Sequence, residues 1–191
     1  MTTQSFDKAR DLVARTVREH WKLFLVEGII LVALGLLAVA VPLVAGLAVT
    51  LLFGWVFLIS GIVGLFTTFS MRHAPGFWWS LVSAVLAIVV GAWLLVQPGL
   101  GLVSLTYLLI AFFIVEGIAT IMFALEHKGA LSGRWGWMLA SGIVDLILAA
   151  VILAGLPGTI AWALGLIVGI NMVFGGASMI GMALAAHAEA P

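Results

Sequence analysis

The chain has 191 residues, of which 64% are hydrophobic and only 8% are charged, and its eight basic side chains balance its eight acidic ones. A soluble globular domain carries charge on about a quarter of its residues, so this composition excludes that class and indicates an integral membrane protein. The chain contains no cysteine, which excludes disulfides and thiolate metal sites.

The N-terminal segment, residues 1–22, is predicted to form an amphipathic helix on the cytoplasmic surface of the membrane. With successive residues 100° apart, apolar residues such as Phe6 and Val13 share one face, and charged residues such as Lys8 and Arg15 share the other. This pattern is typical of two roles, attraction to anionic lipids and simple anchoring of the terminus.

Six apolar stretches follow this segment, and each is long enough for a helix that crosses the hydrocarbon core, which takes about 20 residues. Barrel strands are excluded because the stretches are too long and too uniformly apolar. The prediction is an all-α, polytopic membrane protein with a six-helix transmembrane domain over residues 23–185 and a tail at 186–191. The predicted spans are 23–41, 47–69, 77–96, 102–125, 136–154 and 159–184.

The spans pair into three repeated hairpins, each with a proline at its turn. The repeats cover about residues 21–70, 77–126 and 135–184, and a period of this length should be sought before individual residues are interpreted. The three turns lie at Pro42, Pro98 and Pro157.

Small residues recur at equivalent positions of the repeats. They stand seven and fourteen positions after the opening aromatic residue and nineteen positions after the proline. Residues two helical turns apart share one face, and membrane helices approach closely along such small-residue faces, either within one chain or between copies in a homo-oligomer. The candidate helix-packing residues are Gly28, Gly35, Gly61, Ala84, Gly91, Gly117, Gly142, Ala149 and Gly176.

All Lys and Arg residues fall on one side of the predicted spans. Five precede the first span, and Arg72, Lys128 and Arg134 lie in the two connections on the same side, whereas the turns at the prolines carry no charge. By the positive-inside rule, both the N- and the C-terminus are predicted to be cytoplasmic.

Three acidic residues fall inside spans: Glu27 in the first, Glu116 in the fourth and Asp145 in the fifth. A charge at the centre of a transmembrane helix costs about 2.5–3.5 kcal/mol, and no basic residue lies at their depth. Each acid therefore either takes a proton and donates a helix-packing hydrogen bond, or faces water in a proton or ion path. With Asn171 they are the candidate intramembrane polar or proton-linked residues.

Catalytic and cofactor-binding signatures are missing from the sequence. It contains no P-loop, no nucleophile elbow and no metal-binding motif such as HExxH. We therefore predict a protein that is not an enzyme, with no catalytic residues, no cofactor and no metal. The basic N-terminus is explained by the membrane surface, so nucleic acid is not a predicted partner. The predicted partners are the lipid bilayer, a second copy of the chain in a homo-oligomer, and an unidentified protein.

The pattern of the repeats resembles the HdeD-like family of bacterial inner-membrane proteins over roughly residues 20–185. The residues that carry the resemblance are the aromatic opening of the third repeat, residues 134–142 (RWGWMLASG), the turn at Pro157, and Glu116-Gly117-Ile118. The resemblance implies six spans in the bacterial inner membrane. Because the name-giving member is associated with acid resistance, it also implies a role in stress tolerance, and it supplies no site residues.

Three functions follow from these observations. The leading hypothesis is a small non-enzymatic inner-membrane protein of the HdeD-like type that supports tolerance of acid or envelope stress. The first alternative is a transporter or channel for protons or a small solute that uses the intramembrane acids. The second alternative is a membrane scaffold or assembly subunit, for which a defined oligomer is expected.

Overall fold

The computed structural model describes residues 21–72, 76–128 and 135–188, and within these ranges it contains six long helices and no strand. All six are long and apolar enough to cross a membrane, which confirms the predicted all-α, six-span architecture. Most of the predicted N-terminal amphipathic helix lies outside the described residues. The helices are α1 (Trp21–Ala40), α2 (Pro42–Ser70), α3 (Phe77–Val96), α4 (Pro98–Glu126), α5 (Trp135–Ala154) and α6 (Ala163–Ala188).

The first helix of every repeat is 20 residues long, and in two repeats the second helix begins directly at the proline. Pro42 and Pro98 are the first residues of α2 and α4, so a single residue separates the helices of these hairpins. Proline suits this position because its fixed φ is helical and its missing N–H would have no partner there. The helices therefore begin at residues 42 and 98, before the predicted membrane spans that start at about residues 47 and 102.

The third hairpin has a longer turn than the other two. The Leu156–Pro157 peptide bond is cis, and a 3₁₀ turn at Gly158–Ala161 precedes α6. The hydroxyl of Thr159 donates a 2.7 Å hydrogen bond to the carbonyl of Ile152, which holds the turn against the end of α5. Helix α6 therefore begins four residues after the predicted start at 159 and continues to Ala188, into the segment predicted as a tail.

Removal of the Thr159 hydroxyl should weaken this turn. Thr159 and Ile152 are 5% and 1% exposed, so Thr159→Val leaves a buried carbonyl without its donor, at an expected cost of about 1–3 kcal/mol in the free energy of unfolding. Thermal unfolding in detergent micelles measures the change. Thr67→Val is the control, because the Thr67 hydroxyl bonds to Gly64 of its own helix on an exposed surface. Equal stability of the two variants would contradict the assigned role of Thr159.

The helices group into two compact units. Unit 1 contains α1 and α6, the latter from residue 166 onward, and unit 2 extends from Gly46 to Gly165 and contains most of α2 together with α3, α4 and α5. Two threonines of unit 2, Thr50 and Thr106, are fully buried, and each donates a hydrogen bond to the carbonyl four residues earlier in its helix. Both lie eight positions after the proline of their repeat, so the repeated sequence produces a repeated structure.

Candidate functional site

The small residues of the repeats lie where helices touch, and the touching helices belong to different repeats. We call each such contact a seam. Within unit 1, α6 packs against α1: an ideal Cβ placed on Gly28 would lie 2.9 Å from the carbonyl oxygen of Gly176, and one on Gly35 would lie 2.8 Å from that of Gly169. The reciprocal distances are 2.6 and 2.9 Å. No side chain fits at these four positions without displacing the backbone of the partner helix.

The α2–α3 seam in unit 2 has the same plan. A Cβ on Gly61 would lie 2.9 Å from the carbonyl oxygen of Ala84, and a Cβ on Gly91 would lie 2.8 Å from that of Gly54. The contact points are seven residues apart on each helix, as they are in the α6–α1 seam. Ala84 itself is only 6% exposed.

The α4–α5 seam, also in unit 2, has one glycine contact. Gly117 and Gly142 face each other, and a Cβ on either would lie 2.8 Å from the carbonyl oxygen of the other. Seven residues along each helix, the positions that are glycine in the α6–α1 seam are occupied by Ile110 and Ala149, both buried. At this second contact, only the α4–α5 seam accommodates a side chain as large as isoleucine. The same two helices carry Glu116 and Asp145.

The geometry of the α4–α5 seam determines where its polar residues lie. Gly117 contacts Leu146, four residues after Gly142, and Gly142 contacts Ile121, four residues after Gly117. This reciprocity describes two antiparallel helices related by a local two-fold axis. Residues that directly precede the two glycines therefore fall on the same side of the helix pair.

Glu116 and Asp145 lie together on that side. Glu116 directly precedes Gly117 on α4, while Ser141 and Asp145, one turn apart, lie on the matching side of α5. With a rise of 1.5 Å per residue, the position of Glu116 along the helix axes differs by about 3 Å from those of Ser141 and Asp145. Thr120, one turn from Glu116, extends the row. Glu116 and Ser141 are exposed, and Thr120 and Asp145 are half-buried.

Glu27 occupies the equivalent position in unit 1. It directly precedes Gly28 on α1, and on α6 the residue before Gly176 is Gly175, which has no side chain. Glu27 is exposed, and it makes no hydrogen bond or ion pair with a described residue. Asn171, the other polar candidate of this unit, donates a 3.0 Å hydrogen bond from its side-chain amide to the carbonyl of Ile167, so this donor already has a partner in its own helix.

Sequence reasoning missed two residues of this arrangement, Gly54 and Thr120. Gly54, together with Gly169, completes the two-point seams, and Thr120 belongs to the polar row of α4–α5. A signal for Gly54 was present, because it lies twelve positions after the proline of its repeat, as Gly169 does. Thr120 carried no signal, because its role depends on which helix faces α4.

The helix ends on the predicted cytoplasmic side carry paired aromatic and basic groups. The His187 ring stacks on Trp21 with centroids 4.2 Å apart, and His127 stacks on Phe123 at the same distance. The Lys128 ammonium lies 4.4 Å from the centre of the Trp135 ring. Among the described residues, no group of three His, Asp or Glu side chains is placed to hold a metal ion.

Comparison with known proteins places these repeats in a family. The family model described as "Short repeat of unknown function (DUF308)" matches residues 26–96 and 82–154. Each match contains one complete seam of unit 2, the first including α2–α3 and the second α4–α5. No solved structure matches the chain.

Among curated proteins, the chain is similar to Protein HdeD of Escherichia coli strain K12. The two are 26% identical over 170 residues, which cover 87% of this chain and 88% of that protein. Protein HdeD of Shigella flexneri is similar to the same extent. The resemblance to the HdeD-like family is thereby confirmed along most of the chain.

Proposed function

The chain belongs to the family of short repeats of unknown function (DUF308), and on that premise we propose that it is a non-enzymatic protein of the bacterial inner membrane that supports tolerance of acid or envelope stress. The likeness to Protein HdeD over nearly the whole of both chains supports the proposal. The observation that carries it is the position of Glu27 and Glu116, which are exposed side chains inside apolar helices, because acidic residues within membrane helices are rare and mark functional sites.

An acid challenge tests this function. Cells that lack the gene should survive exposure to low pH less well than cells that carry it, and their internal pH should fall further. The wild-type gene should restore both properties, whereas Glu27→Gln with Glu116→Gln should restore them only in part, because glutamine keeps the size of glutamate but lacks its carboxyl group. Unchanged survival and unchanged internal pH in the deletion strain would rule out this role.

The proposed orientation has both termini in the cytoplasm. Its support is the position of the exposed basic residues Arg72 and Lys128, which lie just beyond the ends of α2 and α4. Reporter fusions at both termini should be active only when the reporter is one that works in the cytoplasm. Activity at either terminus of a reporter that works only in the periplasm would contradict the proposed orientation.

A specific observation favours a second function, conduction of protons or a small solute. The α4–α5 seam brings Glu116 and Asp145 to one side of two helices, beside the hydroxyls of Ser141 and Thr120. Polar residues inside membrane helices mark ion and proton pathways in transporters. Purified protein in liposomes that contain a pH-sensitive dye should then dissipate an imposed pH gradient. Glu116→Gln and Asp145→Asn should slow this flux, and flux equal to that of the wild type would exclude the acids from the path.

A further inference from the structure

At one contact level of each seam, the two sides of the helix pair differ in chemistry although they lie at the same depth. The residues that directly precede and directly follow a seam residue flank it at about 100° on opposite sides of the helix. The local two-fold axis gathers the preceding residues of both helices on one side and the following residues on the other. At the Gly61–Ala84 and Gly117–Gly142 contacts of unit 2, the preceding residues are Ser60, Ser83, Glu116 and Ser141, and the following residues are Ile62, Val85, Ile118 and Ile143.

All eight of these side chains are exposed, so burial does not explain the difference between the sides. The aliphatic side matches hydrocarbon. The side with three serines and a glutamate, which we call the polar side, does not. At the Gly28–Gly176 contact of unit 1, Glu27 and Gly175 precede the seam glycines, and Ile29 and Ala177 follow them.

The hydroxyls of the polar side also differ from other hydroxyls of the helices. Thr50, Thr106 and Ser178 each donate to the carbonyl four residues earlier. Ser60, Ser83 and Ser141 donate to no described residue. A polar group without a partner in hydrocarbon costs several kcal/mol. The hydroxyl groups of the polar side therefore need water or another polar ligand as a hydrogen-bond partner, at a depth where the aliphatic side contacts lipid.

The charge of the polar side indicates which ligand it takes. Glu116 and the half-buried Asp145 lie on the polar side of α4–α5. Thr120 lies on the same side, between Glu116 and the C-terminal end of α4. The basic groups described in unit 2, Arg72 and Lys128, lie beyond the helix ends. Carboxylate and hydroxyl oxygens without nearby cations attract positive charge and repel anions.

We propose that the polar sides of α2–α3 and α4–α5 form a water-accessible surface within the membrane that takes small cations in preference to anions, with Glu116 and Asp145 as the cation-binding groups. This inference rests on the second function proposed above and names its residues and its class of solute. A labelling experiment measures the access of a reagent and its charge preference without measuring flux. Its result can therefore contradict the proposed surface without contradicting the proposed transport, and the flux assay can do the reverse.

Single cysteines test access, because the natural chain contains none. Ser60→Cys, Ser83→Cys and Ser141→Cys are close in size to the wild type, and Ile62→Cys, Val85→Cys and Ile143→Cys are matched controls at nearly the same depth. Membrane vesicles are treated with a cationic trimethylammonium methanethiosulfonate, which reacts with thiolates in water. The three serine sites should react at least about tenfold faster than their controls, because a thiol in lipid stays protonated. Equal rates on the two sides would overturn the proposal.

The charge of the reagent tests the choice of cations. At Ser141→Cys, the cationic reagent should react about tenfold faster than an anionic sulfonatoethyl reagent, relative to a free thiol in solution. Adding Glu116→Gln and Asp145→Asn should remove this preference and leave the cysteine accessible. Glu126→Gln, at the exposed end of α4, should leave the preference unchanged. Access without a preference for the cation would overturn the assignment of Glu116 and Asp145.

Discussion

Replacement of Gly176 by alanine is expected to destabilise unit 1, whereas the same replacement at the neighbouring Gly175 is not. A Cβ on Gly176 would lie 2.6 Å from the carbonyl oxygen of Gly28 and 2.9 Å from the backbone nitrogen of Val32. Backbone atoms of a helix cannot move aside as a flexible side chain does, so the helices must separate. We expect a loss of about 1–3 kcal/mol in the free energy of unfolding, measured by denaturant unfolding in micelles.

Gly175 is a strict control because it lies in the same turn of the same helix. A Cβ there would meet nothing within 4 Å. Gly175→Ala should therefore be neutral or should stabilise α6 by up to about 1 kcal/mol, since alanine is the better helix former. If the two variants unfold alike, α6 does not pack against α1 through Gly176 in the membrane-embedded protein.

Replacement of Asp145 by leucine should stabilise the protein and impair its function. The equivalent residues of the first and second repeats are Leu31 and Ala87, so the repeat accommodates an apolar side chain here. On the insertion scale for helix centres, the exchange of Asp for Leu favours insertion of α5 by up to about 3–4 kcal/mol. An insertion assay with glycosylation sites that flank α5 measures this gain, and the acid challenge measures the loss.

The controls separate polarity from charge and size. Ile147→Leu, two residues away on an exposed part of α5, should change neither insertion nor survival. Asp145→Asn keeps the shape and the polarity and should reduce survival alone. If Asp145→Leu cells survive the acid challenge as well as wild-type cells, Asp145 has no part in stress tolerance, whatever its effect on stability.

The architecture was predictable because it depends on properties that a sequence displays directly. Runs of apolar residues long enough to cross a bilayer fix the number of helices, and the equal spacing of Pro42 and Pro98 from their flanking motifs fixes the repeat. The helices α2 and α4 begin before the predicted spans because hydropathy does not register that proline favours the first turn of a helix. The orientation of the chain remains a prediction from its basic residues.

The partners of the helices were not predictable in the same way. The register of Gly28 and Gly35 shows which face of α1 is small, but not that α6 meets this face rather than α2, its neighbour in the hairpin. The proximity of Glu116 to Asp145 depends on that same information, because the residues are 29 positions apart and meet only through the contact of Gly117 with Gly142. Without the seams, the acids are separate features of separate helices.

The seams follow one rule along the chain: the second helix of a repeat packs against the first helix of the next, and the third repeat is followed by the first. Helix pairing therefore does not depend on which repeat is translated first. A circularly permuted gene that started at Phe77 and led from α6 through residues 1–20 into α1 would encode the same three seams. The chain has a first and a last repeat, but the pairing rule treats the third repeat as the one that precedes the first.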